Sequence, residues 1–162
     1  MATEMYLKIA GVDGEAEHED HKDEIEVLSW SFGASNSSSI GTGGGAGAGK
    51  ANLSDISFTK WVDKSSPLLF QALCAGEHYD EATLALYKVG GEGGRIKYLE
   101  MKFNNTMLTS LSVGGGGGED RLTESMSLGF EKVVLTYTTQ KIDGTAGGDV
   151  VGGWDIKQNR KA

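Results

Sequence analysis

Apolar and polar residues alternate along most of the chain, and a period of two puts successive side chains on opposite faces of a strand. Residues 4–10 open the pattern, with Met5, Leu7 and Ile9 set against Tyr6, Lys8 and Ala10. Residues 24–33 form a stronger strand. Leu28, Trp30 and Phe32 share one face there, while Ile25, Val27, Ser29 and Ser31 share the other, which turns from apolar to hydroxylated along its length. Residues 53–62 carry Ile56, Phe58, Trp61 and Val62, the β-branched and aromatic types that strands favour. In 80–89, Thr83, Ala85, Tyr87 and Val89 oppose Leu84, Leu86 and Lys88, and the glycine turn at 90–94 makes a hairpin with 95–113. Leu99, Met101, Phe103, Met107, Leu111 and Val113 are read in one phase along that long strand, with an irregularity at Asn104 and Asn105. A second glycine turn, 114–118, leads into 122–139. Leu122, Met126, Leu128 and Phe130 lie on one face there and Val133, Leu135 and Tyr137 on the other, so the phase switch near Glu131 predicts a bulge or sharp bend. Residues 143–153 read as a glycine-rich loop, and 154–158, with Trp154 and Ile156, as a short last strand.

One stretch breaks the alternation. After Asp63 and Lys64, the run Ser65-Ser66-Pro67 opens a helix, with Ser66 as the cap and Pro67 at the first helical position, where its missing amide costs nothing. Leu69, Ala72 and Leu73 follow at helical spacing, Leu68, Phe70 and Cys74 widen the apolar surface, and Gly76 supplies a left-handed stop. A helix of about ten residues is not stable alone in water and must dock on a sheet. Seven or eight strands in mainly hairpin order with one inserted helix give a mainly β fold, an antiparallel barrel or two-sheet sandwich in a single domain over 1–162.

Composition sharpens this picture. The chain has 162 residues and a net charge of -8, with no cluster of lysine or arginine, which excludes a nucleic-acid partner. Glycine occurs 25 times against one proline, and in blocks. The run 35–49 is nearly all glycine, serine and alanine and cannot bury a core of its own, so it is either floppy or ordered by contact with something else. Cys74 stands alone, which excludes an internal disulfide, and on the helix it reads as a small core residue. The first ten residues lack a basic start followed by an apolar run, and no stretch has the length of a membrane span. The expectation is synthesis in the cytosol, no membrane insertion, and export, if any, without a cleavable signal peptide.

Candidate chemistry is sparse. Residues 44–51, GGAGAGKA, fit the phosphate-loop pattern except at its last position, where Ala51 replaces the hydroxyl that would hold magnesium, and a strand follows in place of a helix. His18 and His21 sit among carboxylates in 13–23, but the segment has no apolar stripe and reads as a solvated loop, not a metal site. No G-x-S-x-G elbow is present. The reading is therefore of a protein with no catalytic residues, no metal and no cofactor. A monomeric β-sandwich module for a ligand such as carbohydrate is the alternative, and would expose aromatic side chains on one face.

Five blocks carry a resemblance: W-S-F-G at 30–33, the arm ending in Gly49-Lys50, S-F-T-K-W-V-D-K-S-S-P-L-L at 57–69, G-G-E-D-R-L-T-E at 117–124, and the terminal G-W-D-I-K-Q-N. In this order and over essentially the whole chain they resemble the haemolysin-coregulated protein (Hcp) family, tube-forming proteins of bacterial type VI secretion that are similar in fold to phage tail-tube proteins. The resemblance implies a small barrel that assembles into homohexameric rings. Stacked rings would form a tube in the bacterial cytoplasm, driven outward by a contractile sheath behind a tip spike protein, with small secreted effectors held in the channel. A ring needs a head-to-tail contact that closes, and stacking needs a second that does not. For these contacts the candidates are Gly43, Gly44, Gly45, Gly47, Gly49 and Lys50 on the arm, and Glu119, Asp120 and Arg121 in the second glycine turn. Ser29 and Ser31 are the candidates for the channel wall.

Overall fold

A computed structural model describes residues 3–37, 40, 49–90 and 94–162. Ten strands and one α-helix follow in the order β1 (Glu4–Ile9), β2 (Ile25–Ser31), β3 (Ala34–Ser35), β4 (Asn52–Leu53), β5 (Ile56–Trp61), α1 (Ser65–Ala75), β6 (His78–Val89), β7 (Arg95–Gly114), β8 (Thr123–Gln140), β9 (Ala146–Asp155) and β10 (Arg160–Lys161). All pairings are antiparallel. The main sheet runs β10-β9-β8-β5-β2-β1-β6-β7, and a further β7–β8 pairing closes β8, β5, β2, β1, β6 and β7 into a six-stranded barrel. β9 and β10 extend from its wall, and β3 and β4 form a separate two-stranded ribbon.

The barrel interior holds Leu7, Ile9, Ile25, Val27, Ile56, Phe58, Leu84, Leu86, Met101, Phe103, Leu108, Met126, Leu128 and Val133, joined by Leu69 and Ala72 from the helix. Phe32, Phe103 and Phe130 meet there with ring centroids 4.9–6.4 Å apart. Several strands keep facing this interior only because they change phase. In β8 the inward set passes from Met126 and Leu128 to Val133, across Glu131, as the alternation predicts. Opposite that switch in β7, Asn105 takes a left-handed φ of 50°, and its amide donates to Glu131 at 2.7 Å. The single phase expected along β7 is corrected: Leu108, not Met107, faces inward beyond Asn105, and a register shift between Leu108 and Ser110 turns Leu111 inward again.

Other expectations are also revised. The 143–153 loop is mostly strand β9, whose register on β8 (Val150 opposite Tyr137, Gly152 opposite Leu135) is set by the partner and not by its own glycine-rich sequence. β10 lies beyond the expected 154–158 strand. The helix is not capped by Ser66: α1 begins at Ser65, and the Asp63 carboxylate accepts from the Ser65 amide at 2.9 Å. Gly76 does close it in a left-handed conformation, φ 66°, with its amide on the Leu73 carbonyl. Cys74 is exposed, not core, because Leu69 and Ala72 define the buried side and Cys74 lies away from it. No helix among the described residues is long and apolar enough to cross a membrane.

Candidate functional site

The most distinctive surface is built by four neighbouring strand segments, β2, β5, the first half of β8 and the last third of β7. Opposed residues in antiparallel strands share a face, and the register aligns two rows of hydroxyls: Ser31, Ser57, Ser127 and Ser110 in one, Ser29, Thr59, Ser125 and Ser112 in the other. Seven of these eight are exposed or half-exposed, and Ser127 is covered by its neighbours. Thr59 and Ser125 approach at 3.4 Å, and Ser127 bonds both Ser110 and Thr109, the latter at 2.8 Å. Thr109 in turn donates to Asp55 at 2.6 Å, at one margin of the field. A shallow hollow of about 280 Å³ is lined by Ser29, Ser31, Ser57, Thr59, Ser110 and Ser112. The rows themselves contain no charge.

Two bulges create this face. A register shift in β2 between Val27 and Ser29 puts Trp30 on the core side with Ile25 and Val27, leaving Ser29 and Ser31 outside. The expectation that Ile25, Val27, Ser29 and Ser31 share a face is therefore wrong, because strict alternation does not survive an inserted residue. The shift between Leu108 and Ser110 in β7 does the same for Ser110 and Ser112. Beneath the hydroxyls, Trp30, Phe58, Met126 and Leu111 stand in register as the apolar underside. The five hydroxyls beyond Ser29 and Ser31 that reach the outer face were legible as serine alternation at 57–59, 110–112 and 125, but their alignment depends on pairings between distant strands.

Both margins of this four-stranded segment are open. β1 pairs with β2 only at Ile25 and Glu26, and β6 pairs with β7 only as far as Met107. From Ser29 to Ser31 and from Leu108 to Gly114, each edge strand therefore has a single neighbour among the described residues. Its outward amides and carbonyls are a template for another strand.

Behind one end of the segment lies a buried ionic knot. Lys60 is fully buried and donates to the Trp61 carbonyl at 3.0 Å, to Asp63 at 2.9 Å and to Ser66 Oγ at 3.1 Å, while also pairing with Glu124. Ser66 donates to Glu124 and accepts from the Asp63 amide, so Ser66 has a role other than the cap expected of it. These contacts join the F-T-K-W-V-D-K-S-S-P run to the distant E-D-R-L-T-E run and hold the start of α1 against β5 and β8.

The remaining candidates fall elsewhere. Gly43, Gly44, Gly45 and Gly47 lie outside the described residues. Gly49 donates its amide to the Ser37 carbonyl at 3.2 Å, and Lys50 is exposed. Glu119, Asp120 and Arg121 are exposed in the turn before β8, where the Arg121 guanidinium sits 4.3 Å from the Trp61 ring centroid. His21 is not solvated as expected. It is 8 % exposed, stacked at 4.4 Å on Tyr6, and bonded to Glu24 and to the Tyr87 hydroxyl at 2.7 Å, so it fastens the acidic 13–24 segment to β1 and β6. Burial holds the phenols of Tyr6 and Tyr87 above their ordinary pKa.

Comparison with known proteins places this geometry. Residues 6–137 match the family described as type VI secretion system effector, Hcp. The chain is 50% identical to protein hcp1 of Pseudomonas aeruginosa over 163 residues, covering 100% of both. A solved type six secretion system protein superposes with a TM-score of 0.92 at 32% identity, over 99% of this chain and 100% of that one. Hcp1 from Salmonella typhimurium gives 0.82 at 31%, over 100% of both.

Proposed function

This chain belongs to the Hcp family of secreted type VI secretion tube proteins, and from that premise we propose that it is the protomer of a six-membered ring whose copies join edge to edge through β2 and β7. The observation that carries the proposal is the four-stranded segment with two open margins and an uncharged hydroxyl face. Four is an even number, so the two edge strands run in opposite directions, and β7 of one copy meets β2 of the next antiparallel. That contact joins two different edges of the same chain, which is the head-to-tail type that closes into a ring. At a strand spacing of about 4.8 Å, 24 strands give a wall on the order of 115 Å around, a channel wide enough for a small folded protein.

Rings of this kind stack into a tube that a sheath drives outward behind a spike. The hydroxyl rows then line the channel, with Ser29 and Ser31 beside one seam and Ser110 and Ser112 beside the other. Short hydroxyls keep the wall wet, let cargo approach closely and select neither charge. The arm carrying Gly43, Gly44, Gly45, Gly47, Gly49 and Lys50, and the turn with Glu119, Asp120 and Arg121, serve the ring-to-ring contact in this reading. The cargo half is tested with Ser31→Gln, which thrusts a long amide into the channel. The expected result is an intact ring that no longer retains a co-produced small effector; a ring that retains it at wild-type level overturns the assignment of this face to cargo.

A further inference from the structure

We infer that the outer face of α1 is itself part of the contact between copies, packed against the β2-edge side of the neighbouring chain. The inference rests on the ring reading and adds a surface to it. α1 has no charged residue between Lys64 and Glu77. Only Ser65, Ser66, Leu69 and Ala72 are buried in the barrel, while Leu68 is 51% and Phe70 57% exposed on its two flanks and Cys74 is exposed one turn beyond Phe70. A helix whose far side meets water normally carries charge there, whereas the exposed side of α1, Pro67, Gln71, Cys74 and Ala75 with Leu68 and Phe70 on its flanks, carries no charge and a single polar side chain.

Its position says what covers it. α1 begins where Ser66 reaches Glu124, the residue opposite Val113 of β7, and hands over to β6 at His78, the residue opposite Met107. Among the strands it packs chiefly on β7. The helix therefore runs along the very part of β7 that has an open edge, on the side away from the hydroxyl rows. Val113, 55% exposed at that edge, and Leu122, 43% exposed, continue the apolar strip. A copy that adds its β2 to this edge brings the half-buried Trp30 on its underside toward the same strip.

Size and charge favour a second copy as the occupant. A stable interface covers about 800 Å² on each partner, more than two short strand edges supply, so apolar surface next to the edge has to contribute. Two chains of charge -8 repel, and their contact is least opposed where neither presents charge.

The test uses Phe70→Glu, a substitution at an exposed position, with Cys74 one helical turn away as a native reporter. In the wild-type ring, Cys74 should react with a thiol reagent at least about tenfold more slowly than in the unfolded chain. Phe70→Glu should shift the mass toward monomer, with an unchanged circular dichroism spectrum and a freely reacting thiol. A wild-type ring in which Cys74 reacts as fast as in the unfolded chain overturns the inference, whatever the variant does. So does a Phe70→Glu chain that assembles as the wild type. Both outcomes leave the ring standing, whereas a monomeric wild type removes the ring and this inference with it.

Discussion

Lys60 shows how much one residue can hold. Its ammonium is fully buried with Asp63 and Glu124, two carboxylates around one cation, and survives there because Ser65, Ser66 and backbone groups complete the hydrogen bonds. Removing the cation alone strands both carboxylates. Lys60→Met should therefore cost about 3–5 kcal/mol in urea unfolding, and a loss below about 1 kcal/mol would contradict the knot's role. The phenols of Tyr6 and Tyr87 set a pH limit. Burial raises both, so the folded state favours the neutral form; the stability this supplies is complete below the unfolded value near 10 and is lost as pH rises from there through the raised folded value. Tyr87→Phe should lower stability at pH 8, where the bond to His21 is lost, yet flatten its fall between pH 9 and 11; a parallel fall would refute that cause. Neither feature was legible in the sequence. Lys60 sits on the core face by the alternation of β5, but only Glu124, 64 positions on, explains how a cation can stay there. His21 lies in an acidic run and its partner Tyr87 is equally remote, while apolar residues spread around most of α1, so neither the burial of His21 nor the exposure of Cys74 follows from the local sequence.

At the level of elements, the sequence signals were strongest where a strand or helix is specified by its own residues. β1, β5, β6 and the phase switch of β8 follow from local alternation, and the end of α1 from Gly76. Gly76→Ala, with φ 66° and no atom within 4 Å of the added methyl, tests conformation alone and should cost about 1 kcal/mol. No loss of stability would mean the left-handed cap is unimportant. The bulges were harder to place, since an extra residue in β2 or β7 changes which side faces the core without changing the composition of either strand. β9 is hard to place for the opposite reason: its glycines have little strand preference, and pairing with the long β8 imposes the conformation. The proposed seam gives an element-scale prediction. Ser112→Pro, in the β7 edge, removes an amide and rigidifies a strand that should accept a neighbour; it should abolish rings while the monomer stays folded, and rings at wild-type yield would refute β7 as the seam.

For the whole molecule, the barrel alone is a common architecture and says little about use. What directs it toward a tube is the combination of an uncharged hydroxyl face, open margins on both sides of that face, and a family that makes secretion tubes. The face was half visible in advance, through Ser29 and Ser31, and became a site only when strands far apart in sequence aligned their hydroxyls. The measurement that tests the central claim most directly is the mass of the purified chain by light scattering across protein concentration and salt. The predicted result is a species of about six times the 17.1 kDa of the chain, held in part by main-chain pairing and thus little affected by salt. A monomer under every condition would contradict it, leaving a barrel with open edges and no ring.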